Sequence, residues 1–321
     1  MIYRSGQNIK NYRNSETVFQ DPRHYFQKVL SPSDVSLSSL LSLQVYKASD
    51  YPLFTVATDY FAIMGTDHAI GNGGIIWGEC DDRYLTNFVE KGTILSEYQS
   101  ETPFLIKITT AESGLQSDEY FLYYHTDTSD PDNASKQQTH LLTTSGGAAP
   151  HLCTWTQRGK VLGIVVANSE NHTGYLNVVK RGVGDYIGTH TTRSGTGNWS
   201  SSTSDDGINW TRGSLLDFEA NIPVGYHCGS SVFPFTFNNT SYVVTSFWHD
   251  TDPSGLAIWT HDTDYRPDGL AQIMYYFDYT QRGITVSHEG DKLYIFSKKS
   301  ASNSDNLSAY NVRSYDLNVL L

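Results

Sequence analysis

Four times along this chain an acidic residue or a histidine is followed, 18 to 24 residues later, by a histidine closing a second apolar run. The leading members are Asp50, Glu101, His172 and His227, and the closing ones are His68, His125, His190 and His249. Each interval has the length of two strands and a turn. In an antiparallel hairpin the start of one strand lies beside the end of the next. Each interval therefore predicts two ionisable or metal-capable groups at one end of a hairpin. Repeated around an axis, the hairpins would gather all eight on one face.

The leading residues are 51, 71 and 55 apart, and another step of 55 from His227 reaches Arg282. Repeats of ~40–50 residues with several strands each mark propeller blades. The hairpins read as Leu53–Ala57 into Tyr60–Met64, Phe104–Ile108 into Tyr120–Tyr124, Leu176–Val179 into Tyr186–Gly188, Val232–Phe237 into Tyr242–Phe247 and Ile284–Ser287 into Leu293–Ser297. A chain that is 13% aromatic and only 17% charged suits pleated, half-buried surfaces. The expectation is an all-β, five-bladed β-propeller of four-stranded antiparallel blades with a short N-terminal extension. Residues 43–321 would form the propeller, with Leu43–Lys47 completing the last blade, and residues 1–42 an extension or attachment segment.

A net charge of −12 argues against binding a phosphate backbone, which needs clustered cations. No run is long and apolar enough to span a bilayer. Three cysteines without finger-like spacing indicate no disulfide framework. The start Met1-Ile2-Tyr3-Arg4-Ser5 lacks the apolar core of a signal peptide. The expected location is therefore a cytoplasm, or export by a signal-free route such as virion assembly. The expected partner is an oligo- or polysaccharide rather than nucleic acid or membrane, and the oligomeric state stays open.

Asp50 and Glu101 are the leading catalytic candidates, because glycoside hydrolysis needs two carboxyl groups flanking one bond. The competing reading makes each a strand cap. Asp67 offers a third carboxylate. His68, His125, His190, His227 and His249 could bind hydroxyls or carboxylates. Histidine-rich sites also suit zinc or manganese better than calcium. No cofactor is required by this reading, and a bound metal ion is the lesser alternative. His140 opens a third strand near the same end, Tyr175 and Trp248 are candidate sugar-stacking rings, and Arg282 is the one cation at that level.

Ser204-x-Asp206-Gly207-x-x-Trp210, within Thr203–Trp210, fits the Asp-box turn found in sialidases and other propellers. Together with Asp50-x-Pro52 and Glu101-x-Pro103, it makes residues 50 to about 321 resemble the five-bladed β-propeller glycosidases. That group contains arabinanases, β-xylosidases, levansucrases and neoagarobiose hydrolases. The resemblance implies Asp50 as base or nucleophile and Glu101 as acid, with His172 the alternative acid. The order departs from the family, whose acidic Glu normally follows a second Asp-bearing blade. A glycoside hydrolase is the leading expectation. A non-catalytic glycan-binding propeller, as on a virion or cell surface, and a His/Tyr polysaccharide lyase are the alternatives.

Overall fold

The computed structural model describes residues 9–10, 17–18, 27–30, 40–66, 73–97, 100–126, 137–165, 167, 169–170, 172–192, 199–216, 227–248, 255–261, 267–276, 281–299 and 309–320. The N-terminal strands are β1 (Ile9–Lys10), β2 (Thr17–Val18) and β3 (Gln27–Leu30), with β1 and β2 paired to each other. Four sheets are each built from four consecutive strands. The first holds β4 (Leu40–Lys47), β5 (Tyr60–Thr66), β6 (Gly74–Cys80) and β7 (Val89–Leu95). The second holds β8 (Glu101–Lys107), β9 (Tyr120–Thr126), β10 (Gln138–Thr144) and β11 (Thr156–Leu162). The third holds β12 (Asn177–Gly182), β13 (Asp185–Thr191), β14 (Trp199–Ser204) and β15 (Thr211–Leu216). The fourth holds β16 (His227–Phe237), β17 (Thr240–Trp248), β18 (Gly255–His261) and β19 (Pro267–Tyr276). A further four-stranded sheet joins β20 (Gln281–Glu289), β21 (Lys292–Lys299) and β22 (Ala309–Asp316) to β3.

All these pairings are antiparallel, and the first strand of each consecutive set touches the next: β4 with β8, β8 with β12, β12 with β16, β16 with β20, and β20 with β4. The chain is an all-β propeller with four-stranded antiparallel blades. Two strand assignments change. Leu43–Lys47 does not complete the last sheet but forms the first strand of the first, while β3, from within residues 1–42, pairs with β22. Residues 53–57 are not a strand. Pro52 offers no ladder donor, and the backbone beside it is engaged elsewhere. Leu53 N–H donates to the Tyr120 hydroxyl, and Thr55 N–H to the Ala148 carbonyl of the neighbouring blade.

Alternation along a strand sends neighbouring side chains to opposite faces, and here both faces are covered by blades, so both are apolar. In β5, Phe61 and Ile63 join Tyr46, Trp77, Leu105, Tyr120, Leu122 and Tyr124 between the first and second sheets. Ala62 and Met64 face the other way, against Tyr294, Phe296 and Val312 of the last sheet. In β9 the same split sends Phe121 and Tyr123 toward Leu176, Val178 and Tyr186 of the third. Each large apolar side chain so buried contributes about 1.5–3 kcal/mol before conformational entropy is subtracted. The sheets are thereby locked with their strand ends fixed, which positions whatever those ends carry. Among the described residues no helix is long and apolar enough to cross a membrane.

Candidate functional site

The second blade carries the most developed site. Glu101, first residue of β8, is the register partner of His125 in β9, and the pairing then slips between Glu101 and Phe104. This bulge occupies Thr102 and Pro103. Thr102 takes φ 47°, a left-handed conformation that a β-branched residue adopts at a cost of about 1–3 kcal/mol. Regular alternation would send Glu101 and Thr102 to opposite faces; the bulge lets both reach one imidazole. His125 Nε2 lies 3.0 Å from Glu101 Oε2 and His125 Nδ1 lies 2.6 Å from Thr102 Oγ1. Glu101 and His125 are 0% exposed and Thr102 is 8% exposed.

The segment leading into β12 packs against this triad. His172 forms a lone bridge to Gln137, and its Nδ1 accepts from Gly174 N–H at 2.9 Å. The His125 and His172 ring centroids are 4.8 Å apart, nearly perpendicular. Tyr175, at φ 57°, stacks on His172 at 5.4 Å and lies 5.2 Å from His125. Gly174 makes the approach achievable: a Cβ there would come within 2.3 Å of His125 Nδ1 and 2.4 Å of His172 Cε1. Glu101, Thr102, His125, His172 and Tyr175 thus converge at one end of two adjacent blades, combining a carboxylate, a hydroxyl, two imidazoles and a half-exposed phenol ring.

No protein-family model and no curated protein matches the chain. Solved structures do. The α-L-arabinanase of Cellvibrio cellulosa complexed with arabinohexaose aligns with a TM-score of 0.55 at 10% identity, over 86% of this chain and 92% of that one. The endo-arabinase of Bacteroides thetaiotaomicron gives 0.54 at 13% identity, over 90% and 97%. Fructan 1-exohydrolase IIa of Cichorium intybus gives 0.59 at 13% identity, over 92% of this chain and 59% of that enzyme. The chain has the propeller fold of these glycoside hydrolases. At these identities the likeness is one of fold.

The propeller does not bring Asp50 to Glu101. Because β4 precedes it, Asp50 ends the exposed turn Ala48–Asp50 between β4 and β5. The adjoining Tyr51 donates its hydroxyl proton to the Leu105 carbonyl and packs edge-on against Tyr120. That contact lies four residues along β8 from Glu101, beyond the bulge. Asp50 therefore sits at the opposite end of the blade. Asp67, His68 and His249 lie outside the described residues. His227 begins β16 opposite Trp248, and Arg282 lies near the start of β20, opposite Lys298.

A further histidine is held inside its blade. His190 is 0% exposed, its Nε2 accepting from the Ser202 hydroxyl at 2.9 Å and its Nδ1–H donating to the Thr191 carbonyl. Burial, with Arg212 nearby, pushes its pKa down to about 3, so it is a neutral structural imidazole. His140 is on the third strand of its blade, 5.8 Å from the Tyr124 ring. Among the described residues, no three His, Cys, Asp or Glu side chains converge as a metal site requires. At the Thr203–Trp210 turn the bonds run through Ser204 and Asp206. Asp206 Oδ1 accepts from Ile208 and Asn209 N–H, and Trp210 Nε1–H donates to the Gly207 carbonyl. Thr102 and Gly174 escaped the sequence reading. Glu101-Thr102-Pro103 showed a strand opening, but no residue type announces a threonine at positive φ.

Proposed function

We propose that this protein is a glycan-active propeller that takes an oligo- or polysaccharide at the end of the blades carrying Glu101, Thr102, His125, His172 and Tyr175. The five four-stranded sheets are then five blades of one ring, with β3 completing the last. One observation carries the reading: a carboxylate, a hydroxyl, imidazoles and an aromatic ring, groups suited to sugar hydroxyls and ring faces, meet where two blades adjoin. Structural neighbours seen with arabinohexaose or acting on fructan support this ligand class. Glycoside hydrolysis is the reaction, with Glu101 supplying one of the two carboxyl groups it requires.

A second reading, glycan binding without turnover, is favoured by the placement of Asp50 at the far end of its blade. Incubation with arabino- and fructo-oligosaccharides, followed by chromatography of the products, separates the two. Cleavage that disappears in a folded Glu101→Gln variant supports hydrolysis. Binding with no product over long incubation supports the recognition module. Neither binding nor product across a broad glycan panel overturns the glycan reading.

A further inference from the structure

We infer that Thr102 is a positioning residue that sets the tautomer of His125 and, through it, makes Glu101 an acceptor. The inference rests on the proposed site but follows from proton counting within it. Thr102 Oγ1 is 2.6 Å from His125 Nδ1, and that is its one bond among the described residues, at 8% exposure. If Nδ1 carried a proton and donated it to Thr102, the threonine's own proton would be buried without an acceptor, the costly arrangement for a polar group. The hydroxyl must therefore donate, and Nδ1 must be bare. A neutral imidazole with bare Nδ1 carries its proton on Nε2, which lies 3.0 Å from Glu101 Oε2. Glu101 Oε2 accepts that proton's hydrogen bond.

The backbone is shaped to hold this order. The bulge and the φ of 47° at Thr102 are what turn its hydroxyl onto the imidazole. Room is tight on both sides. A Cβ at Gly65 would come 2.9 Å from Thr102 N, and one at Gly174 2.3 Å from His125 Nδ1. The arrangement is a hydroxyl–imidazole–carboxylate chain, in which the carboxylate fixes the ring and the hydroxyl occupies its other nitrogen. At this end Glu101, itself 0% exposed, is the group that accepts from the imidazole rather than one that donates to it. That reverses the proton-donor role implied by resemblance.

The test is 15N NMR of histidine-labelled protein without glycan, on wild type, Thr102→Ser and Thr102→Val. Wild type and Thr102→Ser should show His125 with a pyridine-type Nδ1 and a protonated Nε2, and Thr102→Val should lose that pattern. A doubly protonated His125, or one protonated at Nδ1, in wild type overturns the inference whether or not Thr102→Val folds. So does an unchanged pattern in folded Thr102→Val. Because no sugar is present, failure to find a glycan leaves this result intact, and the converse holds.

Discussion

Glu101 and His125 share a 3.0 Å hydrogen bond with neither side chain exposed. Removing Glu101 leaves the buried Nε2–H of a neutral imidazole without its acceptor, a loss of about 1–3 kcal/mol. Glu101→Ala should therefore lower stability by that order in denaturant unfolding. Glu101→Gln keeps an acceptor oxygen for His125 and should cost less than half as much. On a cleaved glycan, however, Glu101→Gln should lower turnover about 10²–10⁴-fold, the usual share of a positioned proton-transfer group. Equal destabilisation by both substitutions would show that the bond is not what holds this end of the blade.

Gly174 separates packing from chemistry. A methyl group there would meet both imidazoles at 2.3–2.4 Å, and the rings are hemmed in by Tyr175. Overpacking of this kind costs about 1–3 kcal/mol. Gly174→Ala should lower the unfolding free energy by that amount and shift the His125 and His172 NMR signals while those of His190 stay in place. Unmoved His125 and His172 signals would mean that the clash relaxes through the backbone.

Asp50 and Glu101 show how far residue patterns carry. Both stand two positions before a proline, Asp50-Tyr51-Pro52 and Glu101-Thr102-Pro103, and by sequence alone are equivalent strand openings. Pro103 lies in a bulge at the start of β8, whereas Pro52 lies in the turn after β4, so one signature occupies opposite ends of a blade. Tyr60–Met64 and Tyr120–Tyr124, within β5 and β9, were legible as strands because two covered faces demand continuous apolar runs. Leu43–Lys47, within β4, was legible as a strand but not as part of the first strand of its sheet, since partner choice depends on long-range pairing that local pattern does not encode. The positive φ of Thr102 was hidden because β-branched residues are among the last expected there.

The displaced Asp50 gives a direct expectation. Asp50→Asn should leave glycan cleavage or binding within about 2-fold, the range of a surface substitution that shifts no more than ~0.5 kcal/mol. Loss of activity on the scale seen for Glu101→Gln, with folding intact, would return Asp50 to the site.

His190 predicts a stability slope. Its folded pKa of about 3 lies below the ordinary histidine value, first because burial disfavours the cation and next because Arg212 is near. The unfolded chain therefore binds the proton more readily. Stability is complete above an unfolded pKa of ~6.5 and falls as pH drops toward the folded value. Replacing His190 with Gln, which can still bond to Ser202, should flatten unfolding free energy between about pH 6.5 and 4.5. An unchanged slope across that window would assign it to other groups.

Arg83 and Glu289 form the seam between the first and last sheets. Arg83 Nε–H donates to Glu289 Oε2 at 2.6 Å, while Nη1–H donates to the Val45 carbonyl at 2.8 Å and the Ser287 hydroxyl at 2.6 Å. Its guanidinium also lies 5.5 Å from the Tyr60 ring and 5.8 Å from the Tyr294 ring. Burial raises the Glu289 pKa, but the Arg83 hydrogen bond and charge, with Tyr60 and Lys47, outweigh it, and the net shift is downward. A depressed carboxylate contributes stability that is complete above its unfolded pKa of ~4.3 and is lost as pH falls through the lower folded value. Glu289→Gln should remove that acid dependence. Arg83→Met leaves the half-buried Glu289 and the buried Ser287 hydroxyl with fewer partners and should be the more destabilising change at pH 7. If the seam closes the ring, hydrogen exchange in Arg83→Met should accelerate first in β4 and β20, the two strands that meet there, before β8 or β12. Uniform acceleration across all sheets would show instead that the propeller opens as one unit.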